Sequence, residues 1–299
     1  MSILAWMVGS LSAVTGSMTA ALYGLTVKAQ KPRVCPNEVL PSVPYEDVTW
    51  QSQGKTVKGW LLRQSDDAPG QQSPAPVIVV AHGWGSNRSR VLRYALPLYQ
   101  EGYTILMYDA RSHGESDSYR TPSGLQFRDD LLAALEWLRG RKNSGTGRIG
   151  VIGHSLGAFG AVLALGEGAN IDALVTDSMP VRFRSMVGSE LRRRGLPQFP
   201  LSLLIPLLMI WRSRIPRKIM RRANPIGILR DNANRGGTPV LLVHSRNDGL
   251  IPPSELNLVL EGVPGVPHLF VESDGHSASE RDPAFWPAVK SFFHEELKK

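Results

Sequence analysis

The stretch RIGVIGHSLGAFGAV, Arg148 to Val162, decides how this chain is read. Its first half is apolar at nearly every position, the pattern of a strand covered on both faces. Gly153 and Gly157 then fence Ser155, and small residues suited to a helix follow. A serine on a sharp strand-to-helix turn has a strained backbone and an exposed Oγ. Side chains two positions to either side would collide with the flanking elements, so glycine is required there. The competing reading of Ser155 is a serine that caps a helix.

The pattern on either side repeats the strand-then-helix rhythm. YEDVTWQSQGKTVKGWLLR, from Tyr45, predicts two strands joined near Gly54 as a hairpin, followed by a proline-containing loop from Ser65 to Pro76. Apolar strands PVIVVAHG, YTILMYDA, RIGVIGHS, DALVTDS, PVLLVHSRND and HLFVES follow, with helical patterns near residues 88–100, in RDDLLAALEWLRG, after Ser155, near 254–260 and around 285–297. Strands apolar on both faces and separated by helices indicate an α/β fold with a mostly parallel sheet. Such sheets carry their chemistry beyond the carboxyl ends of the strands.

Serine attacks only when a base takes its proton and a third group fixes the tautomer of that base. Asp248 in HSRNDGLIP and His276 in ESDGHSASE each follow an apolar strand, giving the chain order serine, acid, histidine. Asp177 also follows a strand and is a second candidate acid. His268 sits at a strand start and His294 in the last helix, positions poorly suited to a base. His113, His154 and Asp109 are read as structural hydrogen-bonding residues.

With these residues assembled, the chain resembles the α/β-hydrolase superfamily from about Tyr45 to its C-terminus, apart from one insert. The resemblance rests on His82-Gly83-Trp84-Gly85, Asp109 with Arg111-Ser112-His113-Gly114, Gly153-His154-Ser155-Leu156-Gly157, Asp248 and His276. It implies an oxyanion hole built from the backbone N–H groups of Trp84 and Leu156. Trp84 departs from the HGGG loop of many lipases and esterases.

Composition narrows the alternatives. One cysteine, Cys35, excludes an internal disulfide framework, and no CxxC or HExxH spacing marks a metal site. Gly145-Thr146-Gly147-Arg148-Ile149-Gly150 fits GxGxxG formally but precedes a strand, so no dinucleotide is implied. The net charge of +8 is concentrated: residues 178–235 hold 13 basic and 2 acidic side chains, against 21 and 24 elsewhere. A basic insert on an otherwise slightly acidic body, without a reading motif, argues against nucleic acid. Its apolar run, Phe199 to Trp211, contains Pro200 and Pro206 and is too short to span a bilayer. The insert is read as a cap over the site, with contact to anionic lipid as a sharper alternative.

Ile3 to Val27 is free of charge, which reads as a transmembrane anchor over residues 1–27, a cleaved signal peptide and a buried soluble helix being the rivals. Ser12, Gly16, Ala20 and Gly24 recur at helix-pairing spacing. Lys28, Lys31 and Arg33 place the body in the cytoplasm by the positive-inside rule. Residues 28–44, with four prolines, read as a tether, and 45–299 as the hydrolase domain with its insert at about 178–235.

The expectation is therefore a single-pass membrane-anchored serine hydrolase that cleaves a small-molecule or lipid ester, or a thioester, through Ser155, with His276 as base and Asp248 as its partner. It requires no metal or organic cofactor. An amide or peptide hydrolase with the same triad, and a non-catalytic scaffold of the same fold, are the alternatives.

Overall fold

The structure is a computed structural model that describes residues 3–64, 75–141 and 147–298, with side chains from residue 16 onward. Most of the loop expected between Ser65 and Pro76 and the start of the GxGxxG decoy lie outside the described residues, as does the side chain of Ser12 in the small-residue stripe.

Among the described residues, eight strands form one sheet: β1 (Glu46–Ser52), β2 (Lys55–Leu62), β3 (Val77–Ala81), β4 (Thr104–Asp109), β5 (Ile149–His154), β6 (Ala173–Asp177), β7 (Val240–Asn247) and β8 (His268–Asp274). Their spatial order is β1-β2-β4-β3-β5-β6-β7-β8. The hairpin β1–β2 and the β2–β4 pair are antiparallel, and every pairing from β4 through β3 to β8 is parallel. The helices are α1 (Ile3–Ala29), α2 (Leu92–Gln100), α3 (Gly124–Gly140), α4 (Leu156–Gly166), α5 (Phe183–Arg193), α6 (Leu201–Arg212), α7 (Arg217–Arg222), α8 (Pro225–Asn234), α9 (Ser254–Gly262) and α10 (Phe285–Leu297).

Strand β3 shows why the sheet is sequestered from water. All five of its residues are buried, and successive side chains point to opposite faces. Val77, Val79 and Ala81 join one core with Phe127, Leu131 and Val162 from α3 and α4. Ile78 and Val80 join the other with Leu98, Phe285 and Phe293 from α2 and α10. A strand buried on both faces has no polar side to display, so its sequence is a continuous apolar run.

The N-terminal segment corrects the sequence reading. Among the described residues no helix is long and apolar enough to cross a membrane. This overturns the single-pass anchor and, with it, the assignment of the body to the cytoplasmic side. The C-terminal end of α1 instead docks on protein. Leu22 packs against Leu191, Ile205 and Met209 of α5 and α6. Buried Gln30 donates to the Met209 carbonyl and, at 2.9 Å, to the Ser213 hydroxyl, and accepts from Arg212 at 2.5 Å. The small-residue stripe has no close neighbour at Gly16 or Gly24.

The proline-rich stretch that follows has no regular element from Pro32 to Tyr45, yet it is pinned to the body. Asn87 donates to the carbonyls of Cys35 and Pro36, and Val39 N–H donates to Ser89 Oγ. Within the insert between β6 and β7, α5 and α6 pack together, whereas α8 returns to the helical layer, where Ile228 packs at Gly166 of α4.

Candidate active site

The turn between β5 and α4 is built around its glycines. A Cβ on Gly153 would lie 2.6 Å from the Ala158 backbone, and one on Gly157 only 2.3 Å from the Ala81 carbonyl oxygen. These are main-chain obstacles, which cannot swing aside as a side chain can. Ser155 itself has φ +54°, the left-handed region that a non-glycine residue occupies at a cost. Its N–H donates to the Asp177 carbonyl at 2.8 Å, so the tip of β6 holds the turn in this conformation.

Strand ends bring the other groups to that turn. Asp248 follows β7, and its Oδ1 accepts from the N–H groups of Leu250 and Ile251 at 2.9 and 2.8 Å. With one oxygen fixed by the main chain, Oδ2 is aimed at His276 and accepts from its Nδ1 at 2.7 Å. Because that nitrogen faces a carboxylate, it carries the proton, and Nε2 is left as an acceptor. The Ser155 hydroxyl donates to Nε2 across 2.9 Å. Burial pushes the Asp248 carboxyl up, but the hydrogen bond and charge of His276, with the Ile251 and Leu250 N–H groups, outweigh it and hold it below the ordinary carboxylate value. Asp248 is therefore ionised at neutral pH.

The loop after β3 faces the same serine. A Cβ on Gly83 would approach Ser155 Cβ to 2.8 Å, so only glycine lets the loop come this close. Leu156 is the first residue of α4, and its N–H is among the four at a helix start that lack an intrahelical acceptor.

A scan of the chain against family models matches residues 60–200 to the X-Pro dipeptidyl-peptidase (S15) family. The Bacillus subtilis protein YqkD is 29% identical over 206 residues, covering 67% of this chain and 64% of that protein. The lysophosphatidylserine lipase ABHD12 of Danio rerio is 29% identical over 208 residues, covering 64% of this chain and 50% of the lipase. In both cases the match spans less than two thirds of the relative's length. Among solved structures, a Pyrococcus furiosus esterase is similar with a TM-score of 0.69 at 24% identity, over 90% of this chain and 98% of that one. Together with the sheet order and the serine turn, these likenesses decide the fold. The chain has the α/β-hydrolase fold.

One further feature of the candidate site rests on a buried histidine. His82 accepts from the Ala110 N–H at Nε2 and so carries its proton on Nδ1, which donates to the Gly83 carbonyl at 2.7 Å. In a trans peptide the carbonyl and the following N–H point opposite ways. Pinning the Gly83 carbonyl therefore fixes the direction of the Trp84 N–H. Burial, the largest influence, lowers the pKa of His82 to about 4, so the ring is neutral at physiological pH. The Trp84 side chain leans away onto His113 and Phe127.

Asp177, the second candidate acid, is occupied elsewhere. Its Oδ2 accepts from Tyr94 at 2.6 Å and pairs with His154 Nδ1 at 3.1 Å. The histidines His268 and His294 make no contact with Ser155: His268 Nδ1 donates to the Val266 carbonyl, and His294 lies in the last helix. Asp109 binds the Arg88 main chain and guanidinium, a structural use in keeping with the sequence reading. Sequence reasoning passed over the contact of His154 with Ser277, because neither residue type nor spacing signals a bond across 123 positions.

Proposed function

We propose that this α/β-hydrolase is a serine esterase that cleaves a carboxylic ester or thioester through an acyl-serine intermediate. The observation that carries this reading is the unbroken hydrogen-bonded line from Asp248 through His276 to Ser155. In the first step Ser155 Oγ bonds to the substrate carbonyl carbon while its proton passes to His276 Nε2. Negative charge gathers on the former carbonyl oxygen, where the N–H groups of Leu156 and Trp84 receive it. The imidazolium, stabilised by ionised Asp248, returns the proton to the departing alcohol or thiol. Water then repeats the sequence on the acyl-serine, and the carboxylic acid leaves.

The insert supports an amphiphilic substrate. Phe199 and Trp211 are 76% and 69% exposed, and arginines follow them at 212, 214 and 217. In this reading α5 and α6 form a cap beside the site. The test is fluorophosphonate labelling together with a series of p-nitrophenyl esters of increasing acyl length. Labelling that survives Ser155→Ala, or none in the wild type, refutes the reading.

An amide-cleaving variant of the same chemistry draws support from the match to the X-Pro dipeptidyl-peptidase family. Matched ester and anilide substrates that share an acyl group separate the two, since an amidase retains turnover on the anilide.

A further inference from the structure

Beside the line Asp248–His276–Ser155 runs a second one, made by residues adjacent in sequence. His154 precedes Ser155, and Ser277 follows His276. His154 Nδ1 faces Asp177 Oδ2 at 3.1 Å, and its Nε2 lies 3.2 Å from Ser277 Oγ. The same Asp177 oxygen accepts from Tyr94 at 2.6 Å, and Asp177 Oδ1 accepts from Ser178. The rings of His154 and His276 lie 4.8 Å apart, tilted by 42°.

The proton positions follow from the partners. Asp177 is fully buried, and although burial works against its charge, the hydrogen bond and charge of His154 and the Tyr94 hydroxyl hold its carboxyl well below the ordinary value. As an anion it accepts only, so His154 Nδ1 donates to it. His154 Nε2 is then bare and accepts the Ser277 O–H. Burial keeps this ring neutral, with its pKa lowered to about 4. Its anchor is rigid: His154 is the last residue of β5 and pairs in register with Asp177 on β6. Ser277, by contrast, is exposed on the loop after β8.

We propose that His154, held by Asp177 and Tyr94, is a positioning residue that fastens the His276 loop to the sheet through Ser277, keeping the His276 ring within reach of Ser155. The general base sits on a loop, and loops are held less firmly than strands. One hydrogen bond from the adjacent residue to the end of a central strand restrains the loop at the point where ring placement matters. His154 touches no reacting atom, and its effect passes through Ser277 and the neighbouring ring.

This inference rests on the serine-esterase reading, and its test keeps the two separable. The full chain and its variants Ser277→Ala, His154→Ala, His154→Gln and the double variant Ser277→Ala/His154→Ala are assayed by the rate of fluorophosphonate labelling and by hydrolysis of p-nitrophenyl butyrate, with thermal melting alongside. Ser277→Ala removes the bond from its exposed end and leaves the core intact, so it reports even where His154→Ala folds poorly. The expected result is a roughly tenfold loss in labelling rate and in kcat for Ser277→Ala, with KM and Tm unchanged. The double variant should be no slower than His154→Ala alone, because the two residues share one bond. His154→Gln, whose amide both donates and accepts, should recover most of the loss. Labelling of Ser277→Ala within twofold of the wild type overturns the inference, as does a double variant in which the two losses multiply. A wild type that resists labelling instead overturns the esterase reading beneath it.

Discussion

His276 Nε2 stands 2.9 Å from the Oγ of Ser155, although 121 positions separate them in the chain. That distance is one ordinary hydrogen bond, and it links the tip of β5 to the loop beyond β8. If the bond carries proton transfer, Ser155→Ala and His276→Ala should each lower kcat by about 10⁴-fold or more, and the double variant should be no worse than either. Steady-state hydrolysis of p-nitrophenyl butyrate measures this. Multiplicative losses would show that the two do not act as a unit.

Replacing Asp248 separates charge from shape. In Asp248→Asn the oxygen that accepts from Leu250 and Ile251 persists, but the amide facing His276 donates where the carboxylate accepted. His276 would then turn its protonated nitrogen toward Ser155. The expected loss in kcat is about 10³- to 10⁴-fold. Asp177→Asn should not reproduce that tautomer effect, since Asp177 faces His154 and not the base.

The glycines at the serine turn make a steric prediction. Gly157→Ala places a methyl group 2.3 Å from the Ala81 carbonyl oxygen and should destabilise the fold by at least about 2 kcal/mol, read as a fall in the urea midpoint. Gly140→Ala is the contrasting case. It meets nothing within 4 Å at the end of α3, and its effect should stay within about 0.5 kcal/mol of zero or favour the helix.

Acid should weaken the fold by charging buried histidines. Burial lowers the pKa of His82 and His154 to about 4 and of His113 to about 3, from an ordinary value of 6.5. Between those limits the unfolded chain binds protons that the folded chain refuses. Stability is thus fully present above pH 6.5 and declines as pH falls toward 4. Asp177 and Asp248, held below the ordinary carboxylate value, add their losses only under about pH 4, whereas Asp130, raised by burial, takes up its proton earlier in the folded chain and partly opposes the histidines just above that pH. Urea titrations at pH 7, 6, 5 and 4 should show a falling midpoint, and a flat profile would contradict the buried neutral histidines.

The docking of α1 on the insert is testable at Gln30. Gln30→Ala leaves the Ser213 hydroxyl and the Met209 carbonyl without this partner, at a cost of about 1 to 3 kcal/mol that is local to the α1–α6 junction. Hydrogen exchange in α6 should quicken while the strands of the sheet keep their protection.

Much of this was legible from the residues. The strands β3 to β6 announced themselves because sequestration on both faces leaves no polar position, as Val77 to Ala81 shows. Ser155 was legible because the two glycines answer a steric demand visible within five residues. The acid was harder: Asp177 and Asp248 both follow strands, and only the third dimension shows that one meets His154 and the other His276. The N-terminal run misled because charge-free composition is shared by helices that enter lipid and helices that dock on protein. What decides between them here is a polar residue, Gln30, whose partners lie more than 170 positions away.

The insert leaves the sheet after β6 and rejoins it at β7, downstream of Ser155 and upstream of Asp248. Both of its ends are therefore clamped by paired strands, and the proposed nucleophile, acid and base, Ser155, Asp248 and His276, all belong to the sheet and its short loops. Residues 178–235 can thus lengthen, shrink or change polarity over evolutionary time while the reacting groups keep their spacing. A chimaera that carries a different stretch between these two strands should change what is cleaved and leave how it is cleaved untouched.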